Sequence, residues 1–152
     1  MPFDIQIIRA NEFVRLNPQR HLDFEGSKEA LSAIARACQK RGIARAVLDL
    51  RSLPIPARPL FTRDELSALV ETFREAGFSR RQRLAVLYRA DPHRGVRKFA
   101  FISTLRGWNV RAFSDFEKAL EWLSSDGLPE FSFDALPVPI RQAKRRLQVS
   151  NR

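Results

Sequence analysis

The sequence predicts one α/β domain with a largely parallel central sheet over residues 1–125, followed by a short basic tail over residues 126–152. Short apolar runs alternate with helical patterns three times in succession. Consecutive strand-helix-strand units need right-handed crossovers, which make their strands parallel. The total of 152 residues is close to the size of one domain, and a hydrophobic content of 44% with 12 Phe is enough for one core.

The N-terminal segment predicts two short antiparallel strands. Residues 3–9 alternate apolar with polar side chains, and residues 12–16 continue the apolar pattern after a turn near residues 10–11. We expect this pair to form the hairpin end of the sheet.

The next segment predicts a helix and then a buried strand. Ser27 is the expected N-cap, apolar residues recur at helical spacing after it, and Gly42 ends the helix. Residues 44–50 (Ala-Arg-Ala-Val-Leu-Asp-Leu) form the strand. Asp49, late in this strand, is expected to cap a neighbouring helix or make hydrogen bonds within the protein; the alternative is that it faces the binding rim at the strand ends.

A proline-rich loop over residues 51–61 leads to a second helix. Thr62 and Glu65 have the Thr-x-x-Glu spacing of a capping box, and the helix is expected to run to Gly77. Its inner stripe consists of Leu66, Leu69, Val70 and Phe73.

The second half of the chain repeats the alternation. Residues 83–88 predict a strand, 93–106 a helix, 108–113 a strand and 115–123 a helix. The expected mixed sheet therefore has about five strands, an N-terminal antiparallel pair followed by parallel strands, with about four helices on its faces.

Composition argues against several protein classes. The single cysteine, Cys38, cannot form an intramolecular disulfide and is expected to fill a half-buried position. No stretch approaches the roughly 18 uninterrupted apolar residues of a membrane span, and the N-terminus lacks a basic region followed by an apolar run. We therefore expect a cytoplasmic protein without a transmembrane segment.

The sequence shows no catalytic or metal-binding pattern. Neither of the two histidines, His21 and His93, is spaced with Cys or carboxylates as metal ligands are. No nucleophile accompanies them either. We therefore expect a protein that is not an enzyme and that uses no metal or other cofactor.

The net charge of +10 is concentrated in two segments. Residues 78–113 carry 9 basic and 1 acidic side chains, and residues 135–152 carry 5 basic and none acidic. Of the 27 basic residues 22 are Arg, which suits bidentate binding of anions and which a GC-rich genome would equally encode. Charge segregated in this way predicts anionic partners for particular surfaces.

The order of elements and several of their residues resemble the SpoIIAA-like branch of STAS-type domains. The strands at residues 47–50 (Val-Leu-Asp-Leu), 84–87 (Leu-Ala-Val-Leu) and 107–113 stand in corresponding places. Residues 111–123 resemble that group's last strand and helix, in which a Phe ends the strand and Trp-Leu closes the helix. The resemblance covers roughly residues 3–124 and implies a SpoIIAA-like fold with a regulatory role in binding a protein or a ligand.

The chain departs from this family at its phosphorylation site. In the anti-sigma factor antagonists, the corresponding strand leads into a helix that begins Asp-Ser-x-Gly, where the serine accepts phosphate. Here the loop is longer and proline-rich, and residues 61–65 read Phe-Thr-Arg-Asp-Glu. Thr62 carries the hydroxyl nearest to the place of that serine and is hence the candidate for phosphorylation, although its capping role already explains why a threonine stands there.

Five side chains are predicted to bind a small anion at the carboxyl ends of the strands, where ligands bind in open parallel sheets. Arg51 and Arg58 follow one strand. Arg89, His93 and Arg94 follow the next, just before a helix whose first amides would add anion affinity. The alternative is a solvated, arginine-rich rim.

Two other functions stay open. The helix at residues 93–106 has a basic edge beside Phe101 and Leu105, and residues 140–149 predict a short basic helix packed on the domain. Either could bind nucleic acid or an anionic surface. The tail residues expected to do so are Arg141, Lys144, Arg145 and Arg146. The fold group also resembles lipid-binding domains, which implies a carrier of small amphipathic ligands. A protein partner or a small anion is favoured over nucleic acid.

Overall fold

The computed structural model describes residues 3–8 and 13–125, and its elements follow the predicted order. The strands are β1 (Phe3–Ile8), β2 (Phe13–Pro18), β3 (Arg45–Asp49), β4 (Arg83–Leu87) and β5 (Asn109–Phe113). The helices are α1 (Phe24–Arg41), α2 (Arg63–Ala76), α3 (Gly95–Leu105) and α4 (Phe116–Ser124). The predicted tail over residues 126–152 lies outside the described residues, so its short helix stays a prediction.

The five strands form one mixed sheet in the order β1-β2-β3-β4-β5. β1 pairs antiparallel with β2, and every later pair is parallel. Each crossover between parallel strands is right-handed and adds the next strand on the same side of the sheet. The helices of these crossovers therefore all lie on the same face of the sheet. The predicted fold class, an α/β fold with an antiparallel pair followed by parallel strands, is confirmed.

Three helices cover one face of the sheet and α4 covers the other. Successive side chains of a strand point to opposite faces, so Leu48 and Val86 face α1, α2 and α3, whereas Val47 and Leu87 face α4. Both faces are buried, which explains why β3 and β4 are almost uninterrupted apolar runs. The predicted inner stripe of α2, including Leu66 and Phe73, is buried in the larger core.

Most helix ends agree with the predicted caps. Thr62 and Glu65 form the expected capping box, in which each side chain accepts a hydrogen bond from the other residue's backbone N–H. Gly42 and Gly77 end α1 and α2 in left-handed backbone conformations, with φ of 66° and 86°. A residue with a side chain is strained in this conformation, so glycine at these positions stops the helices.

The predicted N-cap of α1, Ser27, is wrong. α1 begins at Phe24, and the Asp23 carboxylate caps it by accepting a hydrogen bond from the Gly26 N–H at 2.7 Å. Aspartate is as good an N-cap as serine, and its negative charge also suits the positive end of the helix dipole.

Within the described residues, none of the helices has both the length and the apolar composition that a membrane-spanning helix needs.

Candidate functional site

A cavity of about 590 Å³ lies at the carboxyl ends of β3 and β4, beneath the proline-rich loop. Its floor contains Leu48 and Val86 from the sheet. Leu31 of α1, Leu66 of α2 and Phe99 of α3 line its walls, and all five side chains are buried. Small-molecule sites in proteins are typically apolar clefts of about 300–1,000 Å³, so this cavity has the size and lining of a ligand site.

The loop above the cavity is fixed at one point to the end of β4. The Arg89 guanidinium donates a hydrogen bond of 3.1 Å to the Leu53 carbonyl oxygen, and the Leu53 side chain is buried. Prolines fix the backbone and remove amide donors, so a loop with Pro54, Pro56 and Pro59 forms neither a strand nor a helix here. It therefore passes over the ends of the strands and forms one side of the cavity.

Cations predominate among the charged side chains that line the cavity. They are Arg58, Arg63, Arg89, Lys98 and Arg106, all exposed, with the half-buried His21 and His93. Asp91 is the one carboxylate of a described residue that lines the cavity, and the Arg97 Nε donates to its Oδ2 at 3.1 Å. A positive rim around an apolar interior is complementary to a molecule with an apolar body and an anionic head.

The structure brings three of the five predicted anion-binding residues to this cavity. Arg58 comes from the proline-rich loop, and Arg89 and His93 come from the connection between β4 and α3. His21, which no sequence pattern assigned to a site, also lines it. Because β2 is parallel to β3, the connection after β2 leaves the same edge of the sheet, and this topology is the signal that would have identified His21.

The structure does not bring Arg51 to the cavity. Its guanidinium donates two hydrogen bonds to the Asp49 carboxylate, at 2.9 and 2.8 Å, and lies 5.2 Å from the Phe116 ring centroid of α4. Asp49 points to the opposite face from its neighbour Leu48. Arg51 follows Asp49 to the α4 face, away from the cavity.

Asp49 is the buried centre of an ion-pair cluster with two partly exposed arginines. It is 2% exposed and accepts hydrogen bonds from Arg51 and from the Arg15 guanidinium, whose Nη2 lies 2.7 Å from Oδ2. Burial raises the pKa of Asp49, but the hydrogen bonds from Arg51 and Arg15 outweigh it and lower the pKa to about 2. The prediction that Asp49 makes hydrogen bonds within the protein is confirmed, and its role is to join β2 to the end of β3.

The first amides of α3 are not free to bind an anion, which corrects that expectation. The Asp91 carboxylate accepts hydrogen bonds from the N–H groups of Val96 and Arg97, both at 3.1 Å. An Asp-Pro pair just before a helix is a local signal for such a turn. Arg94 has a left-handed backbone with φ of 60°, is exposed, and does not line the cavity.

The remaining predicted sites lie apart from the cavity or outside the described residues. Thr62 is exposed, and its Oγ1 accepts the Glu65 N–H at 3.1 Å, so its phosphorylation stays a prediction. The tail cations lie outside the described residues: Arg141, Lys144, Arg145 and Arg146. Among the described residues, no three side chains of His, Cys, Asp or Glu are grouped closely enough to hold a metal ion.

No family model matches the chain, and no curated protein matches it. Among solved structures, it is similar to an uncharacterized protein from the DUF3478 family with a SpoIIAA-like fold, from Shewanella loihica PV-4. The two share 15% sequence identity over 80% of this chain and 91% of that chain, with a TM-score of 0.48. A likeness this distant carries nothing about function. The order of elements and the antiparallel pair followed by parallel strands, which the resemblance implied, are present in the structure.

Proposed function

We propose that this chain is a non-enzymatic, STAS-like binding module whose cavity takes a small amphipathic anion. The observation that carries the proposal is the apolar cavity of about 590 Å³ with Arg58, Arg89 and His93 among its lining residues. It unites two functions that the sequence left open, anion binding at the strand ends and carriage of an amphipathic ligand. A regulatory protein partner stays a prediction from the family resemblance.

The apolar floor and walls would supply most of the affinity. Buried side chains such as Leu48, Val86 and Phe99 offer the ligand's hydrocarbon body a surface from which water is excluded. Each methylene group buried contributes about 0.8 kcal/mol, which is about fourfold in affinity. The affinity for the ligand should therefore rise with the length of the ligand's hydrocarbon chain until the cavity is filled.

The arginines would supply orientation. A guanidinium presents several N–H donors in a plane that matches carboxylate or phosphate oxygens. Arg89 uses one donor on the Leu53 carbonyl and keeps the others, and Arg58 has no hydrogen bond or ion pair with any described residue. Both side chains are exposed, so the anionic head of the ligand would stay in contact with water.

Binding rather than catalysis is supported by the hydroxyls near the cavity. Ser27, Ser67 and Tyr88 line it, yet none of them is hydrogen-bonded to His21 or His93 within the described part of the chain. Nucleophilic catalysis needs a hydroxyl that contacts its general base.

The proposal is tested by calorimetry and thermal shift on the full chain with saturated fatty acids of increasing length. The corresponding alcohols serve as uncharged controls. We expect about fourfold tighter binding per added methylene group and weaker binding of each alcohol than of its acid. Arg58→Gln should weaken fatty-acid binding about tenfold and leave alcohol binding unchanged, because only the charged head is affected.

The matched control is Arg36→Gln, which removes an exposed arginine on α1 that does not line the cavity. It should bind both ligand series like the wild type. Absence of binding by every acid would refute the proposal. Equal affinity for acids and alcohols would refute the role of the arginines.

A further inference from the structure

The most exposed large apolar side chains of the described residues are gathered around the cavity. They are Ile55 and Leu60 on the proline-rich loop and Phe101 and Leu105 on α3, with exposed fractions of 46%, 48%, 63% and 70%. All four line the cavity. These four side chains are called the apolar collar below. Exposed apolar surface concentrated at one place indicates an interaction site.

The collar is not a by-product of core packing. Phe101 and Leu105 are four residues apart and form one stripe of α3, whereas Phe99, Ala100 and Ser103 form the stripe that is buried. Two segments that are distant in the sequence, the loop and α3, thus place apolar side chains around the same opening.

Unpaired cations accompany the collar. Arg58, Arg63 and Lys98 are exposed, line the cavity, and have no ion pair with any described residue. Arg58 lies between Ile55 and Leu60 in the loop, and Lys98 precedes Phe101 by one helical turn. The charges are therefore interspersed with the apolar residues.

We propose that the apolar collar and these three cations dock on an anionic lipid bilayer, with the cavity opening onto the membrane. The collar would enter the boundary between head groups and acyl chains, and the cations would contact anionic head groups. The purpose of docking rests on the proposed function. An opening that faces the bilayer lets an amphipathic anion pass between membrane and cavity without exposing its hydrocarbon body to water.

The composition of the collar favours a bilayer over the other partners of a basic surface. Three of its four side chains, Ile55, Leu60 and Leu105, are aliphatic and offer no ring on which a nucleic-acid base could stack. An apolar protein surface would leave the three cations without partners. A bilayer with anionic lipids matches both the apolar and the charged components.

The test is sedimentation of the full chain with vesicles of phosphatidylcholine, alone or mixed with phosphatidylglycerol. The double variant Phe101→Ser with Leu105→Ser should bind the mixed vesicles about a hundredfold more weakly, because two exposed apolar side chains no longer enter the bilayer. Phe101→Leu keeps an apolar side chain and should bind nearly as well as the wild type.

Charge is tested separately. Replacing Arg58, Arg63 and Lys98 by Gln should lower affinity for the mixed vesicles about a hundredfold and abolish the preference for phosphatidylglycerol. The matched control replaces Arg36, Lys40 and Arg41 by Gln, three exposed cations of α1 that do not line the cavity, and should bind like the wild type. Circular dichroism confirms that each variant is folded.

Three results would overturn the docking proposal. The first two are absence of wild-type binding to the mixed vesicles and unchanged vesicle binding by the double serine variant. The third is a loss of polyuridylate binding in the double serine variant as large as its loss of vesicle binding, which would assign the collar to nucleic acid. Calorimetry with fatty acids in the absence of vesicles tests the proposed function independently of membrane docking. Fatty-acid binding without vesicle binding refutes docking alone, and vesicle binding that depends on the collar without fatty-acid binding refutes the cavity ligand alone.

Discussion

The cavity predicts that two identical substitutions on the same face of the sheet have different consequences. Val86 and Val14 are 2% and 0% exposed, and both belong to the core beneath α1, α2 and α3. Val86 lines the cavity, whereas Val14 on β2 does not. Phenylalanine at either position adds the same volume, so the two variants differ only in the space that receives it.

At Val14 the added ring meets side chains that already fill the core. Overpacking of this kind typically costs about 1–3 kcal/mol, so Val14→Phe should lower the free energy of unfolding by about 2 kcal/mol. At Val86 the ring enters a cavity of about 590 Å³ and displaces no side chain. It also buries apolar surface, which contributes about 25 cal/mol for each Å². Val86→Phe should therefore stay within about 1 kcal/mol of the wild type.

Urea unfolding followed by circular dichroism measures both free energies. The ligand series used for the proposed function measures whether Val86→Phe blocks the cavity, and we expect its fatty-acid affinity to fall at least tenfold. Equal destabilisation by the two substitutions would refute the reasoning, because it would mean that the space above Val86 is filled in solution. A stable Val86→Phe protein with wild-type affinity would show that the ligand binds elsewhere.

Three further predictions concern groups outside the cavity. The Asp49 pKa of about 2 lies below its ordinary 3.8, so the stabilisation from this carboxylate is present above pH 3.8 and is lost as the pH falls through 2. Between about pH 5 and pH 2, the free energy of unfolding measured in urea should therefore fall about 2 kcal/mol more for the wild type than for Asp49→Asn. An equal fall in the two proteins would contradict the ion-pair role. Thr62→Ala should cost about 1 kcal/mol because the capping hydroxyl is lost, whereas Thr62→Ser should cost little; equal costs would rule out capping as the reason. Burial raises the pKa of Cys38 to about 11, partly offset by a hydrogen bond with Gln82, so a thiol reagent near neutral pH should modify Cys38 only as fast as the chain unfolds. Rapid modification of the native protein would show that the thiol is accessible.

The chain's local patterns were sufficient for the fold. Alternating strand and helix periodicities, with the handedness of crossovers, predict five strands with an antiparallel pair followed by parallel strands. The structure adds that the strands lie in chain order and that three helices share one face. The capping box at Thr62 and the glycines at 42 and 77 set helix ends through interactions that span only a few residues. The same local reading failed at Ser27, because Asp23 is an equally good cap and only the packed helix shows which of the two is used.

The candidate site was predictable only in part. Its location at the strand ends follows from topology, and Arg58, Arg89 and His93 lie there. Arg51 was expected with them, but Asp49 is one residue past Leu48 and so faces α4, which draws Arg51 to that side. The amides of α3 were expected to be free, but Asp91 accepts two of them.

The sequence by itself determined which elements follow one another along the chain and the directions of the strands, because periodicity, caps and crossover handedness act over short stretches of chain. Only the tertiary structure decided that the proline-rich loop and α3 enclose an apolar cavity and that Phe101 and Leu105 project beside its opening. Cavities and collars depend on how distant side chains fill the space between elements. That filling depends on packing in three dimensions, which no local pattern encodes.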